Sequence, residues 1–184
     1  MNTITIQQAA TIIQRGGVIA YPTESVYGLG CDPMQPSAVE KILKIRNRHQ
    51  KKGLILIASD WAQVAHFIQP VASDALKEAH RVWPGPYTWV FPANHHVPTW
   101  IRGEHSGVAI RITAHPVCRA LCTAINGPLV STSANLSGKP SIRNIHALRA
   151  QLGKKIEGIV AGELGGAPTP CRIQDIQSGK ILRS

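Results

Sequence analysis

The segment Pro128-Leu129-Val130-Ser131-Thr132-Ser133-Ala134-Asn135-Leu136-Ser137-Gly138 joins a short apolar run to a cluster of hydroxyls, an amide and a glycine. Residues 128–130 predict the end of a buried strand. In open α/β sheets, ligands bind just beyond the ends of strands, where polar groups can converge. Because Ser, Asn and Gly also favour turns, an ordinary surface turn is the alternative interpretation of 131–138.

Helices and strands alternate along the rest of the chain. Helical spacing and capping boxes predict helices over 5–15, 37–46, 61–67, 73–82, 116–125 and 145–152. Apolar runs predict strands at 18–21, 54–57, 87–91, 107–112 and 156–161, with a hairpin over 172–182. Residues 93–105 are predicted to form a surface loop. Together these predict one α/β domain over 1–184, a twisted mixed sheet flanked by helices.

Composition limits the class of partner. The formal net charge of +10 predicts a polyanionic partner such as nucleic acid, nucleotide phosphates or anionic lipid. An aromatic content of 5% argues against broad base-stacking surfaces. No apolar run is long enough to span a bilayer, and the N-terminus lacks the pattern of a signal peptide. The four cysteines are scattered without zinc-site spacing, which predicts buried free thiols in a reducing cytoplasm.

Four further clusters fall at predicted strand or helix ends. The glycines of 21–30 are expected to bring backbone amides close to a ligand, or else to form a plain turn. The run 44–52 carries five positive charges with no acidic residue among them, which suits phosphate binding unless it is a solvated face. Residues 83–86 predict a stiff turn that shapes a wall of the site. Arg111 lies in an apolar strand and needs an anion, either an acidic side chain or a ligand.

None of these clusters pairs a nucleophile with a base, and none presents paired carboxylates. The candidate residues are cations, hydroxyls and amides. Such a site suits chemistry in which the substrates supply nucleophile and leaving group while the protein positions them and stabilises charge. Nucleotidyl transfer with pyrophosphate release fits, with Mg²⁺ carried by the nucleotide rather than held tightly by the protein.

Taken together, the motifs resemble the YrdC family of threonylcarbamoyl-AMP synthases, most closely its short bacterial TsaC branch. The resemblance rests on YPTESVYGLG at 21–30, KGLILI at 52–57, WPGP at 83–86, VAIRI at 108–112 and STSANLSG at 131–138. It implies a twisted mixed sheet with a basic concave face. It also implies the reaction of L-threonine, bicarbonate and ATP to threonylcarbamoyl-AMP, pyrophosphate and water. Other proteins then transfer the threonylcarbamoyl group to an adenosine beside the tRNA anticodon.

The resemblance also assigns residues. It implies that Thr23, Arg111, Ser131 and Cys171 hold L-threonine, with Arg111 on its carboxylate. It implies that Arg46, Arg48, Lys52, Ser133, Asn135 and Ser141 line the ATP site. The chain departs from the family pattern at two positions. Arg46 stands where the family has lysine, and its planar fork is not equivalent to an ammonium. Cys171 stands where the family tends to have serine, a better hydrogen-bond partner.

Two other functions remain open from the sequence. The basic charge also fits a non-catalytic RNA-binding module in tRNA or ribosome maturation, although no aromatic RNA-binding motif or basic tail is present. An enzyme of altered substrate is a further alternative, which the departure at Arg46 allows. Weak binding of tRNA is compatible with the synthase as well.

Overall fold

A computed structural model of the chain describes residues 2–167, 169 and 171–183. Within these residues the strands are β1 (Thr3–Ile4), β2 (Ile19–Pro22), β3 (Tyr27–Gly30), β4 (Ile55–Ala58), β5 (Tyr87–Pro92), β6 (Gly107–Ile112), β7 (Leu129–Ser133), β8 (Gly158–Val160), β9 (Arg172–Asp175) and β10 (Ile181–Arg183). The α-helices are α1 (Ile6–Gln14), α2 (Pro36–Arg46), α3 (Ser73–Val82), α4 (Thr99–Arg102), α5 (Pro116–Ala124) and α6 (Ile145–Leu152). Short 3-10 turns occur at Gln50–Lys52 and Ala65–Phe67.

The strands form one mixed sheet in the order β1-β8-β2-β3-β7-β4-β6-β5-β9-β10, which confirms the predicted fold class. β7 lies near the middle and runs antiparallel to both of its neighbours, β3 and β4. Parallel pairs join β2 to β8, β4 to β6 and β5 to β9. Because β7 runs against its neighbours, its carboxyl end meets the amino ends of β3 and β4. The hydroxyls of 131–133 are therefore placed where three strands and their loops converge.

Helices cover both faces of the sheet. On one face, α1 and α5 pack over a core that includes Tyr21 and Leu129. On the other face, α2, α3, α4 and α6 pack over a larger core. The described part of the chain contains no helix long and apolar enough to cross a membrane.

Of the two capping boxes predicted from the sequence, at 5–8 and 37–40, one is present in the structure. Thr5 and Gln8 form the predicted capping box, with Thr5 N donating to Gln8 Oε1 at 2.9 Å. The second predicted capping box, at 37–40, is wrong. α2 begins at Pro36 with Gln35 as its cap and no side-chain cap bond, because proline at the first position already supplies a helical φ.

Three other expectations need correction. The predicted helix at 61–67 is only the 3-10 turn at Ala65–Phe67, and the predicted loop at 93–105 contains α4. Gly28 and Gly30 belong to β3, and neither has a positive φ, so the alternative interpretation of a plain turn is wrong. They make room for packing instead. A Cβ on Gly30 would lie 2.7 Å from the backbone oxygen of Val130 and 2.7 Å from the ring of Tyr21.

Candidate active site

A cavity of about 780 Å³ opens at the carboxyl end of β7, a size that suits a small-molecule ligand. Nine of the ten site residues predicted from the sequence line it: Thr23, Arg46, Arg48, Lys52, Arg111, Ser131, Ser133, Ser141 and Cys171. The tenth, Asn135, is buried behind the wall and bonds to Arg46 rather than facing the cavity. The segment 131–138 is therefore more than a surface turn.

Arg111 projects from β6 and is buried, with only 6% of its surface exposed. Its Nη2 lies 3.4 Å from the Glu24 carboxylate, and its Nη1 donates to the sulfur of Cys171. Its Nε is buried and has no hydrogen-bond partner among the described residues. The sequence predicted either an acidic side chain or an anionic ligand as the partner of Arg111. Glu24 is the acidic partner, and Arg111 also lines the cavity, where an anionic ligand can reach it.

Glu24 is fixed by a second bond, because Thr113 Oγ1 donates to its Oε1 at 2.7 Å. Burial opposes the charge of Arg111, but the carboxylate of Glu24 outweighs it, so the pKa of Arg111 lies above its ordinary value. Burial raises the pKa of the Cys171 thiol. The group facing Arg111 from position 171 is therefore a neutral thiol at neutral pH. Arg111 therefore keeps a full positive charge beside the cavity.

Two hydroxyls lie at the same end of the cavity. Thr23, in the loop between β2 and β3, donates its hydroxyl hydrogen to the backbone oxygen of Val26 at 2.7 Å. Its oxygen is thus held in place as an acceptor. Ser131, opposite Ile55 in the sheet register, projects from β7 and is 7% exposed. Together with Arg111, they present a cation, a fixed acceptor and a hydroxyl, which is the pattern that a small zwitterion requires.

The basic run 44–52 divides into two groups, which corrects the expectation that no acidic residue neutralises it. Lys44 and Lys51 form exposed ion pairs with Glu40 and Glu104 at 2.8 Å. The other three cations of the run, Arg46, Arg48 and Lys52, line the cavity, and no ion pair joins them to a carboxylate among the described residues. Arg48 follows Asn47, whose left-handed backbone ends α2 and turns the chain toward the cavity.

Four guanidinium groups line the cavity and influence one another: those of Arg46, Arg48, Arg111 and Arg183. Burial and then the charge of Arg48 lower the pKa of Arg46 to about 10. Burial and then Arg183 lower the pKa of Arg48, and burial is also the main cause of the lowered pKa of Arg183, with Arg111 adding to it. All four remain charged at neutral pH, so their mutual repulsion is relieved when an anion binds between them.

Arg183 is a candidate site residue that the sequence does not reveal. It lies on β10, and its Nη2 donates to the backbone oxygen of Cys171 at 2.7 Å while the residue lines the cavity. The predicted hairpin over 172–182 is confirmed as β9 and β10 but stops one residue short of Arg183, and no local pattern distinguishes this arginine from other surface cations. Ser25 and Thr132 also line the cavity and were likewise not predicted as site residues.

The turn at 83–86 has a structural role, as expected, but it is not a wall of the cavity. Trp83 packs at 5.9 Å from the ring of Phe91 and 6.1 Å from that of Trp61. The Trp83–Pro84 peptide is cis, and Gly85 N donates to the oxygen of Ile112 at 2.9 Å. This turn therefore anchors the end of β6, the strand that carries Arg111.

The cysteines of this fold are thiols, and the described residues form no metal-binding group. All four cysteines are buried and free, which confirms the prediction of buried thiols. Across residues 2–167, 169 and 171–183, no group of three or more His, Cys, Asp or Glu side chains is arranged to hold a metal ion.

The fold and the site motifs identify the class. The Sua5/YciO/YrdC family model, described as "Telomere recombination", matches residues 11–184, and the chain belongs to this family. It is 50% identical over 181 residues to a threonylcarbamoyl-AMP synthase of Coxiella burnetii, covering 98% of this chain and 97% of that protein. It is 46% identical over 193 residues to a threonylcarbamoyl-AMP synthase of Xanthomonas euvesicatoria, covering 99% and 98%.

Solved structures show the same fold. The structure of P. abyssi Sua5 complexed with L-threonine matches with a TM-score of 0.87 at 34% identity, covering 92% of this chain and 50% of that one. The structure of E. coli YciO matches with a TM-score of 0.83 at 28% identity, covering 97% and 88%.

Proposed function

We propose that this protein is a threonylcarbamoyl-AMP synthase, an enzyme that converts L-threonine, bicarbonate and ATP to threonylcarbamoyl-AMP, pyrophosphate and water for threonylcarbamoyladenosine modification of tRNA. The observation that carries the proposal is that one cavity is lined both by Arg111, which Glu24 holds, and by the cations Arg48 and Lys52. The relatives that share 46–50% of its sequence over almost its whole length carry this activity in their names.

L-Threonine is assigned to the end formed by Thr23, Arg111, Ser131 and Cys171. Arg111 would receive the carboxylate on the donors that Glu24 leaves open. Thr23 Oγ1 and Ser131 Oγ would contact the ammonium and the side-chain hydroxyl. The structure of P. abyssi Sua5 with L-threonine supports a threonine site in this fold.

ATP is assigned to the end lined by Arg46, Arg48, Lys52, Ser133 and Ser141, with Asn135 behind it. The reaction then proceeds in two steps. The threonine ammonium first loses a proton to solvent. Its nitrogen then attacks bicarbonate, a C–N bond forms, and water leaves to give a carbamate. A carbamate oxygen then attacks the α-phosphorus of ATP, and the bond to the pyrophosphate oxygen breaks. The cations offset repulsion between the carbamate and the phosphates, which is where this cavity lowers the barrier.

Mg²⁺ is proposed to enter bound to ATP, where it would neutralise the phosphates and the departing pyrophosphate. Downstream tRNA-modification proteins are proposed to consume the product, and a cytoplasmic location follows from that role. Weak contact with tRNA itself stays a prediction from the net charge of +10.

The test is incubation of the protein with labelled bicarbonate, MgATP and each amino acid in turn, followed by separation of the nucleotides. We expect a labelled acyl-adenylate with L-threonine, and pyrophosphate in equal amount. Consumption of ATP without that product would contradict the proposal and favour an enzyme of altered substrate. No turnover, together with tight and salt-dependent RNA binding, would instead favour the RNA-binding module.

Arg111→Ala tests the threonine end. Loss of a charge-assisted contact of about 1.5–3 kcal/mol is expected to lower kcat/KM for threonine by about 10- to 100-fold, with the KM for ATP little changed. Threonine-dependent pyrophosphate release measures both constants. Arg119→Ala is the matched control, because Arg119 is exposed, bonds to Ser59 O at 3.3 Å and lies outside the cavity. Unchanged threonine dependence in Arg111→Ala would contradict the assignment.

A further inference from the structure

Arg46 is bonded to one short segment of the chain rather than directed wholly into the cavity. Its Nε donates to the backbone oxygen of Asn135 at 3.1 Å. Its Nη1 donates to Thr132 Oγ1, and its Nη2 donates to Ser133 Oγ at 3.1 Å and to Asn135 Oδ1 at 3.4 Å. The backbone oxygen of Arg46 also accepts from Ser137 N at 2.7 Å. One residue at the end of α2 thus holds the whole end of β7 and the loop after it.

These bonds use four of the five guanidinium donors. Arg46 is 5% exposed, and no carboxylate forms an ion pair with it among the described residues. Its charge is therefore compensated by neutral oxygens, two of which belong to hydroxyls that line the cavity. A hydroxyl that accepts a hydrogen bond from a cation directs its own hydrogen away from that cation. Thr132 and Ser133 both line the cavity, so their hydroxyl hydrogens can be directed into it.

We propose that Arg46 is a positioning residue that acts on the nucleotide through Ser133 and Thr132, orienting their hydroxyls as donors toward phosphate, rather than a direct phosphate ligand. This inference rests on the proposed function only in taking ATP as the anion. Direct phosphate contact falls instead to Arg48 and to the exposed Lys52. Among the described residues, the guanidinium of Arg48 makes one hydrogen bond, from Nη2 to Gly53 O at 2.9 Å, which leaves other donors for a ligand.

The planar fork of arginine explains why the geometry needs this residue type. Nε and both Nη atoms lie in one plane and reach a carbonyl, two hydroxyls and an amide oxygen at the same time. A lysine ammonium has three donors at one point and cannot span those four acceptors. Replacing Arg46 by lysine keeps the charge but breaks the arrangement.

A double-mutant cycle on ATP binding tests the proposal. The variants are Arg46→Lys, Ser133→Ala and their combination, with Arg48→Lys and Arg48→Lys/Ser133→Ala as the matched control pair. Binding of ATP is measured by calorimetry without threonine, so the result does not depend on whether threonylcarbamoyl-AMP is made. The synthesis assay above is run on the wild type in parallel, which separates failure of this inference from failure of the proposed function.

If Arg46 acts through Ser133, Arg46→Lys is expected to weaken ATP about tenfold, and adding Ser133→Ala to it is expected to weaken ATP little further. In the control pair, the fold-changes in ATP affinity caused by Arg48→Lys and by Ser133→Ala are expected to multiply, because the two residues act independently. If Arg46 instead contacts phosphate directly, Arg46→Lys changes affinity less than about threefold, or its effect multiplies with that of Ser133→Ala. Either of those results would overturn the proposal.

Two further measurements keep the test open if Arg46→Lys does not fold, as judged by its thermal midpoint. The same cycle is run with Arg46→Gln. On the wild-type protein, the Arg46 Nε–H signal in ¹⁵N NMR is expected to exchange slowly with solvent both before and after ATP is added, because its bond to the Asn135 carbonyl persists. A change of Nε–H partner from that carbonyl to phosphate on ATP addition would rule the positioning role out.

Discussion

Arg111 and Glu24 form the one buried ion pair among the described residues that touches the cavity. Only 7% of the Arg111 side chain and 12% of the Glu24 side chain are exposed. Arg111 also lines the cavity, where a second anion can reach it. Glu24 is therefore interpreted as the residue that holds Arg111 in place for the threonine carboxylate.

Replacing Glu24 by Gln should raise the KM for threonine about tenfold and leave the KM for ATP within about twofold. The amide still accepts from Thr113, but it no longer balances the buried guanidinium. Steady-state pyrophosphate release at varied threonine and at varied ATP gives both constants. Glu157→Gln is the control, since its partners are Lys41 and Val18 N, away from the cavity. A lower KM for threonine in Glu24→Gln would mean that Glu24 competes with the substrate.

The sequence predicts site residues where a side chain stands in an unusual local context. Ser131 and Ser133 follow an apolar run directly, and Arg111 lies inside an apolar strand. Each was predicted as a site residue because a polar group in an apolar context requires a partner. Arg183 was not found, since its role depends on β10 lying beside β9 and next to the cavity. The two bonds that hold Asn135 and Arg46 together are also invisible in sequence, where 89 residues separate them.

Among the elements, β3 depends most on what surrounds it. Its sequence, Tyr27-Gly28-Leu29-Gly30, has low strand propensity and reads locally as a turn. It is a strand because Tyr21 from β2 lies across the space that side chains at 28 and 30 would fill. The β2–β3 hairpin therefore fixes both Thr23 and the neighbouring β7. Elements with periodic apolar residues, such as α5 and β6, were predicted closely because their patterns are local.

Gly30→Ala tests this account of β3. The added methyl would meet the Val130 oxygen at 2.7 Å, and overpacking of this kind costs about 2 kcal/mol. The thermal midpoint is expected to fall by about 4–8 °C. Gly127→Ala is the matched control, because its only neighbour within 4 Å lies at 3.9 Å and its φ is not positive. Equal midpoints for the two variants would contradict the packing role of Gly30.

Across the whole molecule, the charge of +10 has two separable parts. One part lines the cavity, where Arg46 and Arg111 are buried and Arg48 is half-buried. The other part is spread over exposed lysines and arginines, several of them in ion pairs such as Lys44 with Glu40 and Lys77 with Asp74. Composition gives only the net charge. How the positive charge is divided between the cavity and the exposed surface depends on the fold, and that division distinguishes a nucleotide-using enzyme from an RNA-binding module.

The two parts should respond differently to salt. Exposed charges are screened by added ions, whereas buried charges are screened much less. For RNA held by about four phosphate contacts, raising NaCl from 50 to 200 mM should weaken binding about 50-fold. The KM for ATP should rise less than about fivefold over the same range, because buried Arg46 and half-buried Arg48 are screened less than exposed cations are. Fluorescence anisotropy of a labelled single-stranded RNA and pyrophosphate release at each salt concentration give the two curves. Parallel loss of both would mean that RNA and ATP share the exposed cations, and that the cavity is not a separate anion site.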